Sequence, residues 1–176
     1  MCSKPSSNNK VKLIIGFIFK ENEFYLKAIN PLTRHFGNID FESREIPFNH
    51  TQYYQKEFGK NLKRKFISFA KLIPPEKLAK IKALTNIIEK KLSSKGDLRR
   101  INIDPGYLDL AKVVLATTKD YKHRIYLNSG IYAEVTLFYR NKSFNPWEWT
   151  YPDYRTAEYL EIFNKIRQIY AQNTKR

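Results

Sequence analysis

The sequence holds little that could form a covalent or metal-bound framework. Cys2 is the single cysteine among 176 residues, so neither an intramolecular disulfide nor a cysteine-rich metal site can form. The three histidines stand far apart in the sequence, which argues against a zinc site. We therefore expect a fold that is stabilised by its hydrophobic core, in keeping with a reducing compartment.

Long hydrophobic runs are missing as well. The longest one, residues 13–19, is interrupted by Gly16 and bounded by Lys12 and Lys20, whereas a membrane helix needs roughly 20 apolar residues. No small-residue cleavage site follows this run, as a signal peptide would require. The expectation is a cytoplasmic protein without a membrane partner.

The usual phosphate-binding loops are absent. Neither G-x-x-x-x-G-K-[ST] nor G-x-G-x-x-G occurs in the sequence, so the standard backbone cradles for nucleoside triphosphates and dinucleotides are missing. The aromatic-glycine octamer of RNA-binding sheets is absent too. No cofactor is predicted, although carboxylate ligands follow no spacing rule and leave an oxygen-ligated Mg²⁺ or Mn²⁺ site open.

Positive charge is what the sequence has in excess. Lys and Arg number 32 against 17 Asp and Glu, a formal net charge of +15, and residues 56–95 alone carry a net +9. This surplus favours anionic partners such as RNA or nucleotides. A base-composition bias that enriches Lys, Asn and Ile would produce the same excess on any solvated face.

Residue patterns predict an α+β fold with one domain. Residues 1–10 are expected to form a disordered lead-in and residues 11–176 a single domain. Predicted strands cover residues 11–19, 38–46, 62–73 and 99–103, and predicted helices cover residues 21–36 and 74–92. This order is that of a ferredoxin-like βαββαβ antiparallel sheet, which a C-terminal β-hairpin and a final helix extend.

Local signals refine several of these elements. Pro31 is expected to kink or split the first helix, and Thr156 is a candidate cap for the last one. Residues 47–59 are expected to connect two strands. Asp104-Pro105-Gly106 is typical of a type II turn that follows a strand.

A β-hairpin is predicted around Asn128-Ser129-Gly130, which we interpret as a three-residue loop with its glycine in the left-handed region. The register then pairs Leu127 with Ile131 and Arg124 with Glu134. One face of the hairpin is apolar and is expected to be packed, and it consists of Ile125, Leu127, Ile131, Ala133, Val135 and Leu137. The opposite face consists of Arg124, Tyr126, Tyr132, Glu134 and Thr136.

The polar face of this hairpin provides the candidate chemistry. A carboxylate beside a guanidinium and several hydroxyls can orient a polar ligand or exchange a proton. The catalytic candidates are Glu134, Asp104 and His123. The ligand-binding candidates are Arg64, Tyr107, Lys119, Arg124, Tyr126, Tyr132, Tyr151 and Asp153.

Each of these assignments has a structural alternative. Arg124 and Glu134 can form an ordinary cross-strand pair on a solvated face. His123 has the parity of the apolar face, which suits a partly buried structural histidine. The aromatic run at residues 147–155 can stack bases or substrate, or it can close the core beneath the final helix.

Eight segments of the chain resemble a bacterial family of uncharacterised proteins, the domain of unknown function family 4416. The segments are residues 51–54 (TQYY), 64–69 (RKFISF), 82–86 (KALTN), 102–107 (NIDPGY), 115–121 (LATTKDY), 123–127 (HRIYL), 131–137 (IYAEVTL) and 149–154 (WTYPDY). The resemblance implies a bacterial protein with a single compact domain, and it brings no established activity.

Three hypotheses about function follow. The first is a module that binds a phosphate-bearing ligand, a nucleotide or RNA, through a basic, tyrosine-rich surface. The second is a small hydrolase or transferase that acts on a phosphorylated substrate, with Glu134 or Asp104 as the acid-base or metal-binding carboxylate. The third is an assembly subunit whose exposed aromatic residues are covered by a partner.

Overall fold

The computed structural model describes residues 10–49, 59–93 and 99–174. Its strands are β1 (Lys12–Phe19), β2 (Ile39–Glu42), β3 (Ile46–Phe48), β4 (Leu62–Phe69), β5 (Ile101–Leu108), β6 (Lys112–Thr117), β7 (Ile125–Asn128), β8 (Ile131–Arg140) and β9 (Ser143–Pro146). Its helices are α1 (Asn22–Phe36), α2 (Leu78–Lys91) and α3 (Ala157–Thr174). Short 3-10 helices cover Pro75–Lys77 and Pro152–Arg155.

All nine strands join one antiparallel sheet in the order β2-β4-β1-β5-β6-β8-β7. At one edge β3 continues the line of β2 along β4. At the other edge β9 pairs with the end of β8 that β7 leaves unpaired. The strand β1 lies near the middle and is buried along its whole length, which confirms the prediction for this segment.

Helices cover both faces of the sheet. On the first face, α1 and α2 pack against alternate residues of β1, including Leu13, Ile15 and Phe17. On the second face, α3 packs against Ile14 and Phe66. No helix in the described part of the chain has both the length and the apolar character needed to span a membrane.

The predicted ferredoxin-like sheet with an appended hairpin and helix is wrong. The sheet continues beyond β5, because residues 106–108 pair with β6 and β6 pairs in turn with β8. Asp104, Pro105 and Gly106 lie inside β5 and do not form the predicted turn. The final helix is no appendage, since Phe163 and Ile166 are fully buried under the second face.

The structure shows the outcome of three local predictions, on the helix around Pro31, the cap at Thr156 and the strand at residues 38–46. Helix α1 continues through Pro31, and its buried residues Tyr25, Ala28 and Leu32 lie on both sides of the proline. The Thr156 hydroxyl accepts a hydrogen bond from the Tyr159 amide at 3.4 Å, as a cap would. The strand predicted at 38–46 is divided into β2 and the start of β3. The lead-in up to residue 9 and most of the connecting segment, residues 50–58, lie outside the described residues.

The hairpin of β7 and β8 has a slightly different register from the predicted one. Tyr126 opposes Tyr132 as expected, but Asn128, not Leu127, opposes Ile131. Ser129 and Gly130 both have positive φ, 52° and 74°, so they form a two-residue loop of the type that favours tight hairpins.

The expected packing of the hairpin's apolar face fails on β7. Ile125 is 69% exposed and Leu127 is 37% exposed. The reason is that β7 is an edge strand, whereas the start of α2 packs on Val114, Ala116 and Ile131 further inside the sheet.

Candidate functional site

A cleft opens where β5 and β6 diverge. The two strands pair only between residues 106–108 and 113–115. Gly106 stands at the point of divergence, where a Cβ atom would lie 2.4 Å from the Val114 carbonyl oxygen. Pro105 precedes it, and its missing N–H falls on the side where β5 has no strand partner. Proline and glycine therefore allow the strand to leave its neighbour.

Two charged side chains of α2 close the open edge of β5. Lys82 donates a hydrogen bond to the Ile103 carbonyl at 3.0 Å, and Glu89 accepts one from the Ile103 amide at 2.6 Å. Burial raises the pKa of Glu89, and the nearby Asp104 charge adds to this shift against the opposing effect of Lys82. Lys82 and Glu89 thus replace the missing strand as hydrogen-bond partners.

The space between the strands is a cavity of about 650 Å³, within the range of small-molecule sites. Its walls come from β5, β6, α2 and the segment before α3. Its charged lining residues are Arg64, Lys82, Glu89, Arg99, Asp104, Lys119, Arg124, Glu134 and Asp153. The lining thus contains five cationic and four acidic side chains, so the cavity is not uniformly basic.

Arg64 projects from β4 into this cavity and is 2% exposed. Its only hydrogen bond in the described structure runs from Nη2 to the Tyr154 hydroxyl, at 2.6 Å. Its Nε atom is buried without a partner. Asp104 and Asp153 lie 3.8 and 3.9 Å from Nη1 and Nη2, beyond hydrogen-bond distance. The guanidinium is therefore buried with few of its donors used.

Aromatic rings surround the Arg64 guanidinium. Its central carbon lies 4.8 Å from the ring centre of Phe66 and 5.2 Å from that of Tyr154. Burial opposes its charge, but Tyr154, Tyr159 and the two aspartates raise the pKa of Arg64 above its ordinary value. The residue is thus a permanent cation with aromatic faces around it, an arrangement that itself favours a cation.

The Asp104 carboxylate lies on β5 beside Arg64. Asn102 donates to its Oδ2 at 2.6 Å, and Lys82 donates to its Oδ1 at 3.3 Å. Its side chain remains 26% exposed. Both predicted catalytic carboxylates line the cavity, and Asp104 is more exposed than Glu134, whose side chain is 2% exposed.

A second buried network lies on the opposite wall. Arg124 Nε donates to Glu134 Oε2 at 2.9 Å, and Arg124 Nη2 donates to the Tyr151 hydroxyl at 2.7 Å. The His123 Nε2 atom lies 3.0 Å from the same carboxylate oxygen. Burial opposes the charge of Arg124, but the hydrogen bond to Glu134 and the contact with Tyr151 raise its pKa. Glu134 thus holds Arg124 in a fixed position at the cavity wall.

The structure brings most of the predicted site residues together. Those that line the cavity are Arg64, Asp104, Lys119, Arg124, Glu134, Tyr151 and Asp153. His123 lies behind the cavity wall, where it contacts the lining residues Glu134 and Tyr121. Its ring stacks on Trp149, with ring centres 5.5 Å apart.

Three predicted ligand-binding tyrosines lie elsewhere. Tyr107 packs against the core of the first face. Tyr126 and Tyr132 contact each other, with ring centres 5.3 Å apart, on the hairpin outside the cavity lining. Strand alternation directs Tyr107 away from the cavity, because it has the opposite parity to Asp104 on β5. Tyr126 and Tyr132 share the face of Glu134 but lie next to the hairpin loop, beyond the lining residues.

Sequence reasoning missed the contribution of α2. Lys82 and Glu89 are both 6% exposed and lie seven residues apart, on the buried face of the helix. Thr85, fully buried, lies between them. A polar stripe that runs beside the apolar stripe of an amphipathic helix was the signal that could have found them.

In the ranges that the structure describes, no group of three or more His, Cys, Asp or Glu side chains is arranged to hold a metal ion. The Mg²⁺ or Mn²⁺ site left open by the sequence stays a prediction.

Comparisons with known proteins give one family and no individual relative. No curated protein matches the chain, and no solved structure matches it. The family described as a domain of unknown function (DUF4416) matches residues 9–170, nearly the whole chain. The resemblance seen in the sequence is thus confirmed, and the chain belongs to the DUF4416 family.

Proposed function

We propose that the cavity between β5 and β6 binds a small phosphate-bearing ligand of about nucleotide size, with Arg64 as the anchor of the phosphate. The observation that carries this proposal is the state of Arg64, a buried cation with a single hydrogen bond at the wall of a cavity of about 650 Å³.

The unused donors of Arg64 favour an occupant that offers several acceptor oxygens. A buried charge costs several kcal/mol unless hydrogen bonds and an opposite charge compensate for it. Here the two nearest carboxylates lie at 3.8 and 3.9 Å, too far to accept hydrogen bonds. Phosphate oxygens match the fork of guanidinium donors and form bonds that are stronger than neutral ones.

The opposite wall supports the same ligand. Arg124 is held there by Glu134, and the rim carries two exposed aromatic residues, Tyr121 and Tyr151. Tyr121 lies with its ring centre 4.3 Å from the Arg124 guanidinium carbon. Aromatic faces at the rim suit the stacking of a base, and the enclosed volume suits one nucleotide better than a length of RNA.

The hydrolase or transferase alternative depends on a carboxylate that can exchange a proton with the ligand. Glu134 is 3% exposed and is bonded by Arg124 and His123, which suits a positioning role. Asp104 lines the cavity with its side chain 26% exposed, and an acid-base group must be accessible to its ligand in this way. Phosphate release from a nucleotide that depends on Asp104 would favour this alternative.

Calorimetric titration with inorganic phosphate at low salt tests the binding proposal. Wild-type protein is expected to bind, and Arg64→Met is expected to weaken binding about tenfold or more, because hydrogen bonds to charged groups contribute about 1.5–3 kcal/mol each. Arg44→Met is the matched control, since Arg44 lies outside the cavity with its side chain 80% exposed. Arg64→Lys, which retains the charge but loses the fork, is expected to lose part of the affinity.

Two results would overturn the proposal. One is a wild-type protein that does not bind phosphate at low salt. The other is an Arg64→Met variant that stays folded by circular dichroism and binds as the wild type does. A single-stranded RNA that binds equally well to wild type and Arg64→Met would place the anion site on the outer surface instead.

A further inference from the structure

Asp153 differs from the other carboxylates that line the cavity. Glu89, Asp104 and Glu134 each accept hydrogen bonds from neighbouring donors. The Asp153 carboxylate accepts none from the described residues, although its side chain is only 10% exposed. Its nearest cation is Arg64 Nη2, at 3.9 Å. Its oxygens are not among the fully buried atoms without a partner, and the residue lines the cavity. A ligand in the cavity can therefore supply the missing donors.

Hydrogen bonds hold the segment that contains Asp153 against Arg64 and Arg124. Tyr151 and Tyr154 flank it in sequence, and their hydroxyls accept hydrogen bonds from Arg124 at 2.7 Å and from Arg64 at 2.6 Å. The Asp153 carbonyl accepts from the Thr156 hydroxyl at 2.8 Å. The free carboxylate therefore lies beside the proposed phosphate position in a fixed geometry.

The chemistry of Asp153 restricts what the ligand can place there. An ionised carboxylate only accepts hydrogen bonds, and its two oxygens can accept from two adjacent donors. A second phosphate would add negative charge beside Asp104 and Asp153, which already share Arg64 as a cation. Neutral hydroxyl groups donate hydrogen bonds to Asp153 without adding charge.

We infer that the ligand carries neutral hydroxyls next to its phosphate, as a sugar phosphate or the ribose of a nucleotide does, and that Asp153 binds these hydroxyls. This inference rests on the proposed phosphate site at Arg64. According to this inference, Asp153 determines the specificity for hydroxylated over deoxygenated ligands.

Four probes and one variant test this inference: ribose 5-phosphate, 2-deoxyribose 5-phosphate, AMP and 2′-deoxy-AMP, each titrated against wild type and Asp153→Asn. Wild type is expected to bind the hydroxylated member of at least one pair about tenfold more tightly than its deoxy counterpart, the size of one charge-assisted hydrogen bond. The pair with the larger preference distinguishes a free sugar phosphate from a nucleotide.

Asp153→Asn is expected to reduce this preference, because its neutral amide oxygen accepts weaker hydrogen bonds than a carboxylate does. It is expected to bind inorganic phosphate at least as well as wild type, because a negative charge 3.9 Å from Arg64 is removed. Asp120→Asn is the control, since Asp120 lies outside the cavity lining, and it is expected to keep the preference.

The outcomes separate this inference from the proposal that it rests on. Phosphate binding without any preference for hydroxylated probes overturns the inference and leaves the phosphate site standing. A preference that is as large in Asp153→Asn as in wild type also overturns it. A protein that binds neither inorganic phosphate nor any of the four probes overturns both.

Discussion

Two buried cations on the same face of the sheet are accommodated in different ways. Lys12 on β1 is fully buried, and its ammonium lies 2.5 Å from Asp40 Oδ2 and 3.1 Å from the Phe69 carbonyl oxygen. Asp40 in turn accepts from the Ser68 hydroxyl at 2.6 Å. Arg64 on β4 has one hydrogen bond and two carboxylates beyond hydrogen-bond distance.

The difference between Lys12 and Arg64 shows that burial of a charged side chain does not by itself indicate a binding site. The Lys12 network supplies its own partners and lies outside the cavity lining. Arg64 lies against an open space with donors unused. The combination of burial, missing partners and adjacent space is therefore the basis for proposing Arg64 as a ligand-binding residue.

The largest expected effect comes from removing the partner of Lys12. Asp40→Ala is expected to lower the free energy of unfolding by about 3–5 kcal/mol, because it leaves a buried charge without its counterion. Urea denaturation measures this. Glu23→Ala, which removes the partner of exposed Lys27, is the control and is expected to cost under about 1 kcal/mol. Similar losses in the two variants would remove the contrast on which the comparison depends.

Gly106→Ala is expected to destabilise the protein by about 1–3 kcal/mol, the range for overpacked interiors. Its new Cβ would lie 2.4 Å from a backbone carbonyl oxygen, which cannot rotate away. Gly16→Ala is the control, since its closest contact is a Phe66 side-chain atom at 3.0 Å, and a smaller loss is expected. Thermal unfolding of both variants checks the order, and an equal loss would show that the divergence of β5 and β6 does not depend on this glycine.

Arg64→Met is expected to lower the free energy of unfolding of ligand-free protein by about 1–3 kcal/mol, the range for a buried partner left unsatisfied. Asp153 loses its nearest cation, but this contact is longer than a hydrogen bond, and Asp104 retains Lys82 as a partner, so the loss is expected to stay below that of Asp40→Ala. The same urea denaturation measures it. A loss as large as that of Asp40→Ala would show that Arg64 stabilises the fold just as Lys12 does.

The smallest expected effect concerns pH. Because burial raises the pKa of Glu89, the folded state keeps this proton at pH values where the unfolded state has lost it. The contribution of Glu89 to the free energy of unfolding therefore falls as pH rises from the ordinary glutamate pKa through the raised pKa. Glu89→Gln, whose side-chain oxygen can still accept from Ile103, is expected to gain stability relative to wild type over this interval.

Unfolding free energies measured between pH 4 and pH 7 check that sign. Glu161→Gln is the control, because Lys165 lowers the pKa of exposed Glu161 and the trend should have the opposite direction. A Glu89→Gln variant that loses stability relative to wild type as pH rises would contradict the expected shift.

Sequence patterns predicted the elements better than their assembly. The buried strand at residues 12–19 and the helix that follows Pro75 were found, because continuous β-branched runs and amphipathic spacing are local signals. The end of β5 was misplaced, since Pro105 and Gly106 are as compatible with a turn as with a strand that diverges from its neighbour. The strand is distinguished from the turn by the pairing of residues 106–108 with β6, which local sequence does not reveal.

The sequence also predicted only part of the candidate site, because only some of its contacts join residues that are close in sequence. The contact between Arg124 and Glu134 follows from hairpin register, a relation between residues close in sequence. Arg64 and Asp153 were candidates by type alone, and their meeting across 89 positions depends on how the segment before α3 folds onto the sheet. Lys82 and Glu89 were missed because their partner is a backbone group of β5.

The sequence alone determined the surplus of positive charge, most strands and helices, and membership in the family, because these properties depend on composition and on short-range or family-wide patterns. Tertiary structure decided which charges are satisfied and which are not. That decision depends on the distances between side chains from distant strands, and a gap of less than 1 Å separates a hydrogen bond from an unused donor.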